Sequence, residues 1–352
     1  MARRVSLRQV ASVANVSPST VSRYMRGELS LNADTEARID SAIAKLGYDR
    51  KAAHGTGDAH SSLALVIPNF TNPFFTAFAE RFTSIAQAAG LQTLVIRGGG
   101  QHEEELTLAR LLDSNIDLSG LVYGGMSQRS EQLVRATQVG LPVVAIDKQL
   151  DVPHGLDTVT VDNYGGAFQA TTYLLNLGHR RIALLAGPRE FSTTRARLQG
   201  YTDALAREGI RVDPALVRHG NHSERLGASV FPHLLGLADP PSAIFATSDI
   251  SAIGVLSAAE IHGLAIPDDL SVIGYDGIRV SEWLRPKLTT VEQPIDALAQ
   301  AAIMSVMRQL KQGQDSRRGD TEPQEVVLPM RLVIRGSTAA RALGAHRATS
   351  PR

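Results

Sequence analysis

At 352 residues, with 43% hydrophobic and 20% charged residues and a net charge of +1, the chain can fill a large core spread over two or three structural units. It contains no cysteine, which excludes disulfides, thiolate metal sites and a cysteine nucleophile. No run of about 18 uncharged apolar residues occurs and the first thirty residues lack a secretion signal's apolar stretch, so the cytoplasm is the expected compartment and no membrane contact is expected.

The charge is unevenly placed. Arg3, Arg4, Arg8, Arg23 and Arg26 fall within the first 27 residues, which hold no acid, whereas the remainder is near neutral. That is the local basic patch that nucleic acid needs. Leu7, Val10, Ala11 and Ala14 share one helical face, and the Asn15-Val16 break suits a sharp turn, since asparagine tolerates the left-handed conformation. Ser17 then caps a second helix that starts at Pro18, whose missing N–H leaves nothing unpaired. Val21 and Met25 face inward, while Pro18, Ser19, Ser22 and Arg23 face outward. Pro18, Ser19 and Arg23 are placed to read bases, arginine by two hydrogen bonds to a guanine edge, and Ser6, Ser17, Thr20 and Ser22 lie nearer phosphates. A third helix begins at the cap Asn32, carries Ile39, Ala42, Ile43 and Leu46 on one face and stops at Gly47. Residues 1–50 are therefore a small all-α helix-turn-helix unit, its second helix the reader of a DNA operator.

A polar linker over 51–62 precedes the body at 63–340, and 341–352 reads as a tail. Strand-like runs begin at 63, 93, 120, 142, 182, 243 and 271, with helical segments at 73–89, 163–177, 192–208 and 249–262. Repeated βαβ units of this kind give doubly wound parallel sheets, whose ligands sit at the carboxyl ends of strands. Phe74, Phe75, Asp147, Lys148, Arg195, Arg197 and Asp276 all lie at such exits or helix starts.

VSLRQVASVANVSPSTVSRYMRG and the LGY at 46–48 resemble the headpiece of the lac repressor and galactose repressor family. VIPNFTNPFF, VDNYGGA, LGHRRIALLAGP, IFATSDISAIG, VIGYDG and LTTVEQP follow in the family's order, so the resemblance spans nearly the whole chain. It implies a body similar to periplasmic sugar-binding proteins, with two lobes crossed by the chain near 162, 292 and 324. The first lobe is then 63–162 with 293–323, the second 163–291 with 324–340. It also implies an effector cleft walled by Phe74 and Phe75, with Asp147, Lys148, Arg195, Arg197, Phe245, Asp249, Asp276 and Gln293 supplying further contacts. Asp249 reads equally as the cap of ISAIGVLSAAE, and Phe75 as core. The implied function is a transcriptional regulator, a repressor by family habit, whose operator affinity a small sugar-like effector controls. Its implied partners are a near-palindromic double-stranded DNA operator and a second copy of the chain. No cofactor or metal is expected.

The chain departs from the family in the segment that tethers the headpiece. Arg50 and Lys51 replace the usual hinge start, Gly55 stands at a usual arginine and Gly57 at the usual minor-groove leucine. Two glycines cost about 2 kcal/mol of helix propensity. Arg50, Lys51 and His54 are then phosphate contacts on a loose tether. Two rivals fall short: GGG at 98–100 and GGM at 124–126 do not form G-x-G-x-x-G and no catalytic constellation joins them, which argues against an enzyme, and the headpiece argues against a pure solute-binding protein.

Overall fold

A computed structural model of the chain describes residues 7–17, 20–21, 24, 29, 31–46, 62–114, 116–147, 150, 156–314 and 322–341. The chain divides into two compact units, Met1–His60 and Ser61–Arg352.

In the first unit, α1 (Leu7–Ala14) and α2 (Ala33–Leu46) flank a short helical stretch that includes Thr20, Val21 and Tyr24. Asn15 adopts φ 54°, the left-handed turn conformation that its side chain tolerates. Ser17 Oγ accepts from the Thr20 amide at 3.0 Å, and Asn32 Oδ1 accepts from the Thr35 amide at 2.9 Å, so both caps form where local chemistry places them. Val10, Ala11, Ala14, Val21, Ile39, Ala42 and Ile43 close one small core. Alanines at 11, 14 and 42 allow the helices to approach closely.

The second unit contains two six-stranded sheets. The first orders β2 (Gln92–Arg97), β1 (Ser62–Ile67), β3 (Leu118–Tyr123), β4 (Val143–Ile146), β5 (Asp157–Val161) and β11 (Glu325–Leu328), all parallel. The second orders β7 (Val217–His219), β6 (Ile182–Ala186), β8 (Ala243–Ala246), β9 (Ser271–Asp276), β10 (Thr289–Glu292) and β12 (Arg331–Val333), parallel except at β12. Strands such as β6, buried at every residue, are the continuous apolar runs that a doubly covered parallel sheet requires. Helices α3 (Pro73–Ala88), α4 (Gln101–Leu112), α5 (Glu131–Gln138) and α10 (Ile295–Gln314) belong to the first lobe. Helices α6 (Asn163–Asn176), α7 (Ser192–Arg207), α8 (Glu224–Leu235) and α9 (Asp249–Ile261) belong to the second.

The chain passes between lobes at Asp162, at Gln293-Pro294, and finally between Leu328 and Arg331. The last passage differs from the one expected near 324. Glu325–Leu328 forms an edge strand on β5 of the first lobe, locked there by Asp157, which accepts from the Gln324 amide at 2.9 Å, Ser305 Oγ at 2.5 Å and Gln309 Nε2 at 3.0 Å. Burial raises the pKa of this carboxyl, but these donors and Arg308 outweigh it and hold the group below its ordinary range.

Both sheets reverse strand order at their first strand, β1 between β2 and β3, and β6 between β7 and β8. Such switch points are where a parallel sheet opens a crevice at its carboxyl edge.

Candidate functional site

A cavity of about 280 Å³ lies between the lobes at those edges. From the first lobe it receives Pro68, Asn69, Asn72, Phe74 and Phe75 after β1, Gly124 to Met126 and Gln128 after β3, and Asp147 after β4. From the second come Pro188, Phe191 to Thr193 and Arg197 after β6, Asn221 and His222 after β7, and Asp276 at the end of β9, while Gln293 stands at a crossing. Asn72 caps α3 through the Phe74 amide at 3.1 Å, and Pro73 starts the helix, which throws both phenylalanines toward the cleft. Their rings meet edge to face at 5.2 Å.

Arg197 organises the opposite wall. It is only 4% exposed, donates through Nε to Asn163 Oδ1 at 2.8 Å and through Nη1 to the Thr247 carbonyl at 2.7 Å, and lies 3.8 Å over the Tyr275 ring. Its Nη1 stands 4.0 Å from Asp276 Oδ1. Asp276 accepts from Ser248 Oγ at 3.1 Å and Gln293 Nε2 at 2.9 Å. Burial lifts the Asp276 carboxyl to about 6 against the opposing pull of Arg197. Burial and the same guanidinium lower His222 to about 3, so its imidazole is neutral at physiological pH. Asp147 and Asp276 are both held at positive φ, 58° and 109°. Strained backbone at the two acids of one cleft is the kind of local cost that a fold keeps at a binding site.

Of the residues expected from the sequence, Phe74, Phe75, Asp147, Arg197, Asp276 and Gln293 are brought together at the cavity. Three others are not among its lining residues. Arg195 is exposed and donates to the Glu190 carbonyl at 2.5 Å, because two residues along a helix rotate a side chain to the far face. Phe245 is fully buried beneath the sheet, 6.3 Å from the Tyr275 ring, and belongs to the second lobe's core. Asp249, also fully buried, accepts from Thr290 Oγ1 at 2.6 Å and the Ile278 amide at 2.8 Å. Burial and the neighbouring Asp276 raise it well above the ordinary carboxylate range. Lys148 lies outside the described residues, as do Ser6, Pro18, Ser19, Ser22, Arg23, Arg50 and Lys51 of the DNA-binding set. Ser17 and Thr20 are described, with Oγ to Oγ1 at 2.7 Å at the second helix's start. Asn69, Asn72, Gln128, Phe191, Asn221 and His222 were not foreseen; all lie in loops, and only their position after a strand would have marked them.

Residues 6–51 match the model of bacterial regulatory proteins of the lacI family, and 171–338 match a periplasmic binding protein-like domain. The HTH-type transcriptional repressor CytR of Escherichia coli (strain K12) is 32% identical over 337 residues, covering 95% of this chain and 96% of that protein. The chain belongs to the lacI family. This regulator also overlays the CelR-cellobiose complex with a TM-score of 0.71 at 29% identity, covering 95% of this chain and 100% of that one. A LacI family transcriptional regulator from Enterococcus faecium with bound ribose gives a TM-score of 0.69 at 25% identity, over 80% and 100% of the two chains. The protein is accordingly a helix-turn-helix, DNA-binding transcriptional regulator with a two-lobed effector body, and not an enzyme. Among the described residues no helix is long and apolar enough to cross a membrane.

Proposed function

We propose that this lacI-family regulator is a cytoplasmic homodimer whose affinity for a near-palindromic operator is set by a small, neutral, ring-bearing polyol, a sugar or sugar derivative, held between the lobes. One observation carries the ligand class. The cleft brings Phe74 and Phe75 of the first lobe and Phe191 of the second together with the polar groups Arg197, Asp276 and Gln293. Aromatic faces suit the apolar side of a ring, and fixed charged and amide groups suit its hydroxyls. Two carboxylates, Asp147 and Asp276, balance Arg197 and Lys148, the His222 imidazole is neutral, and the guanidinium is already engaged by Asn163 and Thr247, a balance that favours a neutral ligand. The cavity volume lies near the lower end of the roughly 300–1,000 Å³ of ligand pockets, which points to one or two rings. The related structures with cellobiose and ribose bound support the same class.

In this reading Phe74, Phe75, Asp147, Lys148, Arg197, Asp276 and Gln293 contact the effector, and Ser17, Pro18, Ser19, Thr20, Ser22 and Arg23 serve the operator. Two headpieces are needed because one reads too few base pairs. The effector acts through unequal affinity for two lobe arrangements, a coupling of about 1–3 kcal/mol. Calorimetry of the full-length protein against neutral sugars and nucleosides, and against their acid and phosphate counterparts, tests the class. Only neutral ligands should bind, a bound one should change operator affinity in a gel-shift titration, and Asp276→Asn should weaken it. Binding confined to the anionic set overturns the reading.

A further inference from the structure

The fully buried Glu104 of α4 has no ion-pair partner among the described residues. Instead it accepts the Tyr123 hydroxyl, the Met126 amide at 2.7 Å and the Ser127 amide at 3.5 Å. The Tyr123 hydroxyl accepts in turn from the Ser127 amide at 3.1 Å. A charged group without a countercharge survives burial when backbone donors surround it. Glycine is required on one side of it, since a Cβ at Gly125 would collide with the carboxyl group, and Gly98 packs closely on the other, where a Cβ would lie 3.1 Å from Glu104 Cγ. A carboxylate, a phenol and two glycines are thus committed to fixing the backbone of 124–128.

That segment ends on Gln128, which lines the cavity and whose shielded Nε2 has no partner among the described residues. The same polarity recurs along this wall. Asn69 Oδ1 accepts from the Thr71 and Asn72 amides at 3.0 and 2.9 Å, and Asn72 Oδ1 from the Phe74 amide at 3.1 Å. Their carbonyl oxygens are occupied inside the lobe, which leaves N–H donors for the cleft. Across it the order reverses: Gln293 gives its Nε2 to Asp276 and leaves a buried Oε1 unpartnered. A buried donor without an acceptor is costly, and a ligand acceptor removes the cost.

We propose that Gln128 is a specificity-determining effector contact, a donor that selects an acceptor oxygen on the ligand face turned to the first lobe, and that Glu104 is the positioning residue that holds it there. The assignment rests on the neutral polyol reading above. D-ribose, D-glucose, cellobiose, adenosine and uridine are titrated by calorimetry into the full-length protein and its Gln128→Met, Glu104→Gln and doubly substituted forms. Gln128→Met keeps length and shape but removes the donor, so it should weaken whichever probe binds by about tenfold, the weight of one hydrogen bond with a desolvated partner. Glu104→Gln should weaken the same probe, and the double variant should bind no worse than Gln128→Met alone, since a residue acting through Gln128 has nothing further to lose. A role confined to stability would instead lower the melting temperature and leave the two losses independent.

Gln128→Met binding like the parent overturns the Gln128 assignment; if Asp276→Asn still loses affinity, the cleft reading stands without it. Additive losses overturn the positioning role of Glu104. Failure of every probe to bind the unsubstituted protein overturns the polyol reading, and this assignment falls with it.

Discussion

Replacing Arg197 by methionine keeps most of the stem and removes the charge. Asn163 Oδ1 and the Thr247 carbonyl, now at 2.8 and 2.7 Å from the guanidinium, lose their donor. Hydrogen bonds to charged groups contribute about 1.5–3 kcal/mol each, and the stacking on Tyr275 adds about 0.5–2 kcal/mol. Relief of guanidinium desolvation offsets part of this, so the net loss should match that of breaking a buried ion pair, about 3–5 kcal/mol. At about 2–4 °C per kcal/mol the melting temperature should fall by roughly 6–20 °C. The loss should also depend on pH. Arg197 pulls the Asp276 carboxyl down against burial, which leaves it at about 6; without the cation it rises further. A carboxyl raised in the folded state favours folding when protonated, and that contribution fades as pH rises through the folded value. The gap between the two proteins should therefore narrow as pH falls from 8 to about 5. Calorimetric melts at fixed ionic strength measure it. A gap that stays constant or widens on acidification, or a melting temperature within about 2 °C of the parent, would refute the buried-pair reasoning.

Effector affinity should fall as pH drops through about 6, where Asp276 is protonated and loses its charge and one acceptor oxygen, and calorimetry should show no such fall for Asp276→Asn. Ser17→Ala removes the cap at the Thr20 amide and should cost the headpiece about 1 kcal/mol, read as a lower melting temperature and weaker operator binding. With Arg50, Lys51, Gly55 and Gly57 in the tether, moving two half-sites apart by one base pair should leave affinity within about threefold in a gel-shift series, and a collapse would show that the tether folds.

Legibility followed how local each signal was. The turn at Asn15, the cap at Ser17 and the cap at Asn32 depend on residues within four positions, and all three are readable from the chain alone. β6 and β9 are fully buried runs, as is β1 after Ser62, and they show as such. Strands β7, β11 and β12 are three or four residues long, lie at sheet edges and are at most half-buried; β11 holds the apolar run Val326–Leu328, but one this short does not by itself mark a strand. The third passage between lobes falls after β11, later than the family resemblance implies. The same limit governs the cleft. Arg195 and Arg197 are equally plausible in sequence, and only the orientation of α7 decides between them. Phe245 sits on a strand whose alternate side chains face the sheet's two covered sides, and nothing in AIFA distinguishes the cleft from the core. Gln128 and His222 lie in loops without period, and their meaning comes from groups distant in sequence, Glu104 and Gly187 among them.

The correction at Asp249 alters how the cleft relates to the packing between lobes. Asp249 receives the backbone amides of Gly277 and Ile278, the residues directly after the cleft acid Asp276. Asp276 and Gly277 are both at positive φ, 109° and 72°, a reversal that turns the chain from the cleft into the lobe interface. There Ile278, 3% exposed, and Ile250, next to Asp249, join the apolar cluster built on Phe74, Phe78 and Leu298 of the first lobe. A single buried side chain thus braces the two residues that follow Asp276, which lines the cavity, and the second of them is packed into the other lobe. Close-packed cores rearrange between discrete states instead of stretching. The position of Asp276 in the cleft and the seating of Ile278 against the first lobe are thus fixed by one short braced segment. Asp249, itself absent from the cavity lining, stiffens the segment that joins the cleft to this interface.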